Sequence, residues 1–250
     1  MLEVKNVSAG YGQHQVLHHV SLTIEKGKLT GIIGPNACGK STLLKTMVGI
    51  LPCTEGTIYL DGSDTAQLAR GEMARRIAYL PQSKNIPDMT VGQMVLHGRF
   101  PHLNYPRRYR RHDHEIAAAA MARMELSELA HHPLVALSGG IRQKAYIAMA
   151  LAQDTDYILL DEPTTYLDVS HQLTLMKLLC SLTNEGRGIA TVMHDLPLAL
   201  TYSDVIVVMK DGAVVLQDSP REVYRSGIVK QIFGVSLRVE DGCYYYDLKQ

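Results

Sequence analysis

A nine-residue segment, GPNACGKST at 34–42, carries the residue types that bind nucleotide phosphates. It fits the pattern GxxxxGK[ST], in which backbone N–H groups of a glycine-rich loop and of a helix N-terminus donate to phosphate oxygens. Lys40 is predicted to reach the β- and γ-phosphates, and the Ser41 hydroxyl to bind Mg²⁺. The pattern of residues 29–33 predicts a strand before the loop, and the residues after it predict a helix, which is the context the motif needs. The predicted site comprises Gly34, Pro35, Asn36, Ala37, Cys38, Gly39, Lys40, Ser41 and Thr42.

A second motif, YILLDEP at 157–163, ends an apolar run with two carboxylates. The run places Asp161 at the C-terminal end of a buried strand, where α/β folds bind ligands. Asp161 can hold Mg²⁺ through water, and Glu162 can orient and deprotonate an attacking water molecule. A strand that ends in acids is often only a turn, but with the phosphate loop upstream the pair predicts hydrolysis of a nucleotide.

A third motif, LSGG at 137–140, precedes an amphipathic helical pattern. Its two glycines, Gly139 and Gly140, allow the backbone to approach a ligand closely, and Ser138 can cap the helix. In isolation such a motif is more often a plain helix N-cap than a ligand contact.

The elements that carry these motifs alternate between strands and helices. The first thirty residues are predicted to form strands, and residues from about Val91 to Leu151 to be mostly helical. Strand patterns return at 157–161 and 188–192, and a hairpin is predicted at 205–217 around Lys-Asp-Gly. This alternation predicts an α/β fold with a largely parallel sheet and an inserted helical subdomain.

Composition argues against several classes of protein. The 25 Lys and Arg residues balance 25 Asp and Glu residues, which argues against a protein that coats nucleic acid. No apolar run approaches the ~18 residues that span a bilayer, and the N-terminal residues do not read as a secretory signal. The four cysteines form no CxxC pair and are expected to be reduced thiols of a cytosolic protein. The histidines have no partner at metal-ligand spacing, so a solvated surface role is expected.

Six motifs follow one another along the chain: GPNACGKST, Gln82 in YLPQ, LSGG, ILLDEP, Asp168 in TTYLD and His194 in VMHDL. In this order they resemble the ATP-binding-cassette (ABC) family, the ATPase subunits of ABC transporters, over about residues 2–220. The resemblance implies a phosphate-loop NTPase core with N-terminal antiparallel strands, and ATP and Mg²⁺ as its ligands.

The resemblance also implies roles for individual residues. Tyr11 matches the aromatic residue that stacks on adenine. Gln82 matches the glutamine that touches Mg²⁺ and the attacking water, which makes Ser41, Gln82 and Asp161 the metal-binding set. His194 matches the switch histidine that contacts the γ-phosphate, and Glu162 with Gln82 and His194 forms the catalytic set.

Two subunits of this family pair head to tail. Ser138, Gly139, Gly140 and Asp168 are therefore expected to lie at the dimer seam, where the glycine pair would meet the ATP held by the partner's phosphate loop.

Three positions need separate comment. Ala37 stands where the family commonly has glycine, and if that position needs a positive φ, alanine costs roughly 1–2 kcal/mol. Ile141 stands where glutamine is common. Cys38 lies beside a helix N-terminus, where a thiol pKa tends to fall, so its alkylation is expected to block ATP binding.

The predicted organisation is one ABC ATPase domain, with the α/β core in 1–85 and 152–220, the helical subdomain in 86–151 and a C-terminal extension in 221–250. The residues TVGQMVLHGRFPH at 90–102, the basic stretch that follows them and DHEI at 113–116 resemble the ATPases of ferric-siderophore, haem and cobalamin importers. The expected location is the cytoplasmic face of the cell membrane, and residues 84–100 with Gln82 are the expected docking surface for a separate permease. A substrate-binding protein is expected as an indirect partner.

Several alternatives remain open. One is a soluble ABC ATPase that acts on nucleic acid or ribosomes, another a different cargo, and a third a regulatory module without turnover. The segment from Arg99 to Arg111 holds five arginines and no acid. In a neutral chain a solvated face, or contact with a partner's acidic loop, is favoured over nucleic acid, and no nucleic-acid partner is expected.

Overall fold

The computed structural model describes residues 1–82 and 86–247. In chain order the strands are β1 (Leu2–Tyr11), β2 (His14–Ile24), β3 (Leu29–Ile33), β4 (Glu55–Leu60), β5 (Ser63–Asp64), β6 (Ile77–Leu80), β7 (Tyr157–Asp161), β8 (Gly188–Val192), β9 (Val205–Lys210), β10 (Ala213–Asp218), β11 (Leu237–Glu240) and β12 (Cys243–Tyr246). The α-helices are α1 (Lys40–Met47), α2 (Arg70–Arg76), α3 (Val91–His97), α4 (Arg111–Arg123), α5 (Gly139–Ala152), α6 (Val169–Asn184), α7 (Leu196–Tyr202), α8 (Pro220–Arg225) and α9 (Ile228–Phe233).

The N-terminal sheet has the strand order β2-β1-β4-β5 and is antiparallel. Leu2 lies opposite Ile24 on one side and opposite Leu60 on the other, and all three side chains are fully buried. Alternate residues of a strand face opposite sides of a sheet, so the alternating pattern of the first strands leaves one apolar face to pack. The predicted N-terminal antiparallel strands are confirmed.

The main sheet has the strand order β10-β9-β3-β8-β7-β6. All its neighbouring pairs are parallel except the β9–β10 hairpin. Every residue of β3, β7 and β8 is buried, because layers cover both faces of the sheet. The largely parallel sheet predicted from the alternation of strands and helices is therefore confirmed.

The two faces of this sheet contribute to two apolar cores. Ile32 and Leu159 belong to the core shared with α1 and the N-terminal sheet. Ile33 and Ile158 belong to the core that contains the helices from α3 to α9. Each buried aliphatic side chain of this size stabilises the fold by roughly 1.5–3 kcal/mol, so the two layers together hold the phosphate-loop end of β3 in place.

The helices α3, α4 and α5 form the helical block that the sequence predicted in the middle of the chain. A buried ion pair joins Arg99 Nε to Asp113 Oδ1 over 3.1 Å, and Arg99 also donates to the Ala152 carbonyl over 3.1 Å. This pair ties the chain after α3 to the start of α4 and the end of α5. Removing one partner of a buried pair typically destabilises a protein by about 3–5 kcal/mol, so the block is a firmly held unit.

The C-terminal hairpin of β11 and β12 packs against α7. The Tyr244 backbone N–H donates to Thr201 Oγ1 over 3.2 Å, and the Tyr244 and Tyr224 rings meet edge to face with centroids 5.6 Å apart. These two strands lie within the predicted C-terminal extension, residues 221–250. Among the described residues, no helix has both the length and the apolar character that a bilayer crossing demands.

Candidate nucleotide-binding and hydrolysis site

The phosphate loop joins β3 to α1 at the C-terminal edge of the main sheet. A Cβ at Gly34 would lie 2.4 Å from the Met209 carbonyl oxygen and 2.6 Å from Cys38 Sγ, so this turn needs glycine. Gly39 has φ +99° and provides no side-chain cap to α1. The first backbone N–H groups of α1 are therefore available to an anion at the loop.

Ala37 adopts a left-handed backbone conformation, with φ +61°. The condition for a conformational cost at this position is thus met, and the cost is roughly 1–2 kcal/mol relative to glycine. Ala37 lines the cavity above the loop, which still encloses about 540 Å³. The methyl group therefore strains the loop without filling the site.

The Lys40 side chain is buried and turned onto the loop itself. Its Nζ donates to the carbonyl oxygens of Gly34 and Pro35, each over 2.8 Å. These bonds hold the ammonium group inside the curve of the loop, where it can meet phosphate oxygens.

The groups predicted to bind Mg²⁺ lie beside the loop. Ser41 Oγ donates to Asp161 Oδ1 over 3.0 Å, and the Tyr79 hydroxyl donates to Asp161 Oδ2 over 3.5 Å. Burial raises the pKa of the Asp161 carboxyl, although the hydrogen bond from Ser41 opposes that shift. A cation bound nearby would stabilise the ionised form of this carboxyl group.

This donor set fits Mg²⁺. The ion prefers hard oxygen ligands and usually takes one or two carboxylates together with phosphate and water oxygens. The described residues contain no cluster of three or more His, Cys, Asp or Glu side chains that could hold a metal alone. The chain supplies only part of a coordination shell, as a site for Mg²⁺ with a nucleotide would.

The three residues predicted to be catalytic meet at Glu162. Gln82 Nε2 donates to Glu162 Oε2 over 2.7 Å, and His194 Nε2 lies 2.5 Å from Glu162 Oε1. Glu162 follows β7 with φ +53°, a strained conformation for a non-glycine residue that persists only where the surroundings enforce it. Its side chain is 12% exposed, whereas that of His194 is 47% exposed. The carboxylate therefore sits at the inner wall and the imidazole at the opening.

One cavity contains both halves of the predicted chemistry. Gln82, Glu162 and His194 line it together with the phosphate loop and α1. Its lining residues are Val16, Asn36, Ala37, Gly39, Lys40, Ser41, Thr42, Gln82, Glu162 and His194. Val16 was not predicted, and nothing in its sequence context distinguishes it from other β2 residues. Tyr79, whose hydroxyl donates to Asp161, was also missed, although it is the first residue of the YLPQ motif that ends at Gln82.

Tyr11, predicted to stack on adenine, does not line this cavity. It ends β1 and is 49% exposed. Lys45 Nζ, on α1, lies 5.9 Å from the Tyr11 ring centroid and 3.5 Å from its hydroxyl oxygen. The ring is therefore near the helix that follows the loop, and about half of the side chain is exposed.

The glycine pair lines a second, separate cavity. Ser138 accepts the Ile141 N–H over 3.4 Å and caps α5, and Asp168 accepts the His171 N–H over 2.9 Å and caps α6. The lining of this 480 Å³ cavity is Ser138, Gly139, Gly140, Ile141, Lys144, Tyr166, Leu167, Asp168 and His171. It shares no lining residue with the phosphate-loop cavity.

The structure overturns one sequence prediction, that the pKa of Cys38 falls. Burial is the largest influence on this thiol and raises its pKa, and the nearby Lys40 ammonium opposes the rise only in part. Cys38 is 5% exposed, with Sγ 3.9 Å from Lys40 Nζ. The position at the helix N-terminus does not compensate for the loss of water around the thiolate.

Comparison with known proteins gives a consistent result. The model of the family described as ABC transporter matches residues 17–165. The ferric enterobactin transport ATP-binding protein FepC of Escherichia coli (strain K12) is 40% identical over 242 residues, which is 96% of this chain and 89% of that protein. The iron(3+)-hydroxamate import ATP-binding protein FhuC of Bacillus subtilis (strain 168) is 40% identical over 256 residues, 99% of this chain and 95% of that protein.

Among solved structures, the dimeric bacterial ABC transporter cassette MJ0796 superposes with a TM-score of 0.78 and 30% sequence identity, over 88% of this chain and 99% of that one. The family match begins in β2 and ends at Thr165. It therefore includes the phosphate loop, Gln82, the glycine pair and Glu162.

Proposed function

This chain belongs to the ABC transporter family, and from that membership we propose that it powers the import of a metal chelate through a separate transmembrane permease. It is an ATPase, which converts ATP and water to ADP and phosphate. The cargo class we propose is a ferric siderophore, haem or cobalamin. The support for this class is the 40% identity, over nearly the whole chain, to ATP-binding proteins named for ferric enterobactin transport and iron(3+)-hydroxamate import.

The observation that carries the catalytic proposal is the meeting of Glu162, Gln82 and His194 at the wall of the phosphate-loop cavity. In our proposal the loop N–H groups and Lys40 bind the β- and γ-phosphates. Glu162 accepts a proton from the attacking water, while Gln82 and His194 fix the carboxylate and the reacting groups. Tyr11 supports the adenine at the rim.

Ser41, Asp161 and Gln82 are the residues that would hold Mg²⁺. When bound there, Mg²⁺ would neutralise charge on the β- and γ-phosphate oxygens.

Cassettes of this family form dimers, and MJ0796 is one solved in that form. For this chain we propose a head-to-tail homodimer, in which Ser138, Gly139 and Gly140 contact the nucleotide held by the partner. The separation of the two cavities supports this arrangement, because the glycine pair lines no part of its own phosphate-loop cavity. Asp168, which caps α6 beside the pair, would lie at the same seam. Closure of the dimer would then do the work, since nucleotide interacts better with the closed state.

The permease docking surface proposed here combines the helical block with a groove beside it. The groove encloses about 870 Å³ between α1, β4 and α2, and Gln153 at the end of α5 lines it. Ile50, also in its lining, is 62% exposed. A groove with exposed aliphatic groups suits a short helix of a partner.

The predicted docking stretch 84–100 begins outside the described residues, and its described part includes Ile86, which is 44% exposed. With this docking, the chain lies at the cytoplasmic face of the membrane. A substrate-binding protein would act on the other side of the permease.

The decisive test of the catalytic proposal is Glu162→Gln. The amide keeps the shape of the side chain but cannot accept the proton, so ATP should still bind while hydrolysis falls by at least about a hundredfold. Phosphate release, nucleotide titration and size-exclusion chromatography with ATP measure the three effects, and closed dimer should accumulate. Glu222→Gln, an exposed glutamate on α8, is the matched control. Turnover near that of the control would remove Glu162 from the role of base.

A separate experiment tests the transport proposal. Affinity purification of the tagged chain from membranes should recover a multi-spanning permease, and deletion of the gene should abolish growth on the corresponding ferric chelate. Recovery of nucleic acid or ribosomes instead would favour the soluble alternative. If the deletion strain still grows on every ferric chelate but no longer takes up another nutrient, the proposed cargo is wrong while the assignment as a transport ATPase stands.

A further inference from the structure

A positively charged loop borders the groove at which the permease is proposed to dock. We call residues 100–111 the basic loop. Arg107, Arg108 and Arg110 are exposed there, and within the part of the chain that the structure describes none of the three forms an ion pair. Arg111, by contrast, pairs with Glu115 over 2.7 Å. The loop therefore carries about three uncompensated positive charges in a chain whose formal net charge is zero.

Exposed aromatic rings accompany these charges. Tyr105 is 97% exposed, which is the greatest exposure among the large apolar and aromatic side chains of the described residues. The Arg107 guanidinium lies 4.5 Å from the centroid of the Phe100 ring, and that ring is 38% exposed. A tyrosine ring near arginine side chains is typical of segments at the boundary between water and lipid.

Two contacts fix the loop at the rim of the groove. Arg75 Nη1 donates to the Pro101 carbonyl over 3.3 Å, and His102 Nε2 lies 2.7 Å from the Gln153 carbonyl oxygen. Gln153 lines the groove. If the permease occupies the groove, the basic loop is held on the side of the chain that faces the membrane, and this step rests on the docking proposed above.

Charge decides between the two surfaces that the loop could meet there. Cytoplasmic segments of membrane proteins carry an excess of Lys and Arg, so they are poor partners for an arginine cluster. The cytoplasmic leaflet is negatively charged and attracts basic segments close to it. We infer that the basic loop binds the anionic phospholipid head groups of the membrane beside the permease, with Tyr105 entering the interfacial layer.

The test uses the full chain and vesicles, without a permease. Vesicles of phosphatidylcholine with about 30% phosphatidylglycerol should sediment the wild-type protein at low salt, and vesicles of phosphatidylcholine alone should not. Replacing Arg107, Arg108 and Arg110 together by Gln should weaken binding by about a hundredfold, since each arginine near the surface contributes about fivefold. High salt should release the wild-type protein, because surface charge attraction is screened.

The matched control replaces three exposed cations outside the loop, Lys177, Arg221 and Lys230, by Gln. It changes the net charge equally and should leave vesicle binding within about twofold of wild type, because those residues do not lie in the basic loop. Tyr105→Ser tests the ring separately and should weaken binding by about fivefold. ATP hydrolysis should stay unchanged in all these variants, which shows that each one is folded.

Equal loss of binding in the two triple variants would overturn the inference, as would equal binding to the two kinds of vesicle. The inference would also be overturned if the loop variant kept vesicle binding but lost binding to single-stranded RNA. The same holds if the variant kept vesicle binding and lost only the capture of the permease. Failure of the proposed function is distinguishable, because a chain that hydrolyses no ATP could still need the three arginines for vesicle binding.

Discussion

The phosphate-loop cavity and the glycine-pair cavity differ in how far one chain completes them. In the first, strands, a helix N-terminus and three catalytic candidates converge from separate parts of the sequence onto one volume, where Gln82 and His194 both contact Glu162. In the second, the polar groups mostly bond to their own helix starts, as Ser138 and Asp168 do. The first cavity therefore contains the groups for a reaction within one chain, whereas the second offers only a surface for a ligand to contact.

Backbone strain occurs beside both cavities. Ala37 and Glu162 have left-handed φ values in the first, and Tyr166 has φ +69° in the second. Such conformations cost of order 1–3 kcal/mol each and persist where the surrounding structure enforces them. In the first cavity the surroundings are the chain itself. Tyr166 is 77% exposed, so the chain itself covers little of this side chain.

Lys40→Met tests the phosphate-loop cavity and has the largest expected effect. The change removes the charge held by the Gly34 and Pro35 carbonyls, so nucleotide affinity should fall by at least about a hundredfold. Titration with a fluorescent ATP analogue measures it. Lys45→Met, which removes the charge near Tyr11, should change affinity only a few-fold. Equal effects of the two changes would contradict this account of the loop.

Gly139→Val tests the other side. A Cβ at this position meets its nearest neighbour, Tyr166 Cβ, at an ordinary 3.6 Å, so the chain should fold while the side chain occupies the second cavity. In the proposed dimer the partner's nucleotide would lose its contact with the glycine pair, so hydrolysis should fall by about a hundredfold. The affinity of the monomer for ATP should stay within about twofold. Gly71→Val, on α2, is the control. Loss of ATP binding by the monomer would show that the two cavities are not independent.

Ala37→Gly sharpens the comparison by relieving strain only in the first cavity. Glycine adopts φ +61° without the steric penalty of alanine, so nucleotide affinity should rise by about five- to tenfold. Calorimetric titration of the Glu162→Gln background measures it without turnover. Ala122→Gly on α4 should lower stability by about 1 kcal/mol and leave affinity unchanged. An unchanged affinity for Ala37→Gly would mean that the loop keeps its shape at no cost to binding.

The smallest effect concerns Cys38, whose pKa is raised by burial. Because less thiolate exists at a given pH, alkylation of a chain with Cys53, Cys180 and Cys243 replaced by serine should be a few-fold slower than that of glutathione. The rate should rise as the pH passes the ordinary cysteine pKa, and bound ATP should protect. Completed labelling should block ATP binding, since Sγ lies 3.9 Å from Lys40 Nζ. Full binding after stoichiometric labelling would refute this.

Much of the first cavity could be predicted from sequence because its residues sit at fixed offsets from strand ends and helix starts. The loop, Asp161 and Glu162 belong to local motifs, and an apolar strand carries each of them to the same edge of the sheet. The identity of the surfaces that close around them could not be predicted. Val16 reaches the cavity only because β2 crosses beside α1, which is a property of packing and not of any local pattern.

The wrong prediction for Cys38 has the same origin. A helix N-terminus lowers a thiol pKa, and the motif reveals that position, but burial raises it, and burial depends on how Gly34 and the neighbouring strand approach the sulfur. The sequence likewise placed Ser138 and the glycine pair at a helix start, yet could not reveal from spacing alone that they face a cavity apart from the phosphate loop. The short α2 was also missed, because its seven residues carry four charged side chains and a glycine.

The helix α5 connects distant parts of the molecule. It starts at the glycine pair and runs for 14 residues, a length of about 20 Å. At its far end, Gln153 donates to the Ile77 carbonyl over 3.1 Å, and Arg99 donates to the Ala152 carbonyl. Because a helix of this length is stiff, a displacement of one end moves the other end by nearly the same distance. In the proposed dimer, a displacement of a few ångströms at the glycine pair would therefore reach the groove at which the permease is proposed to dock.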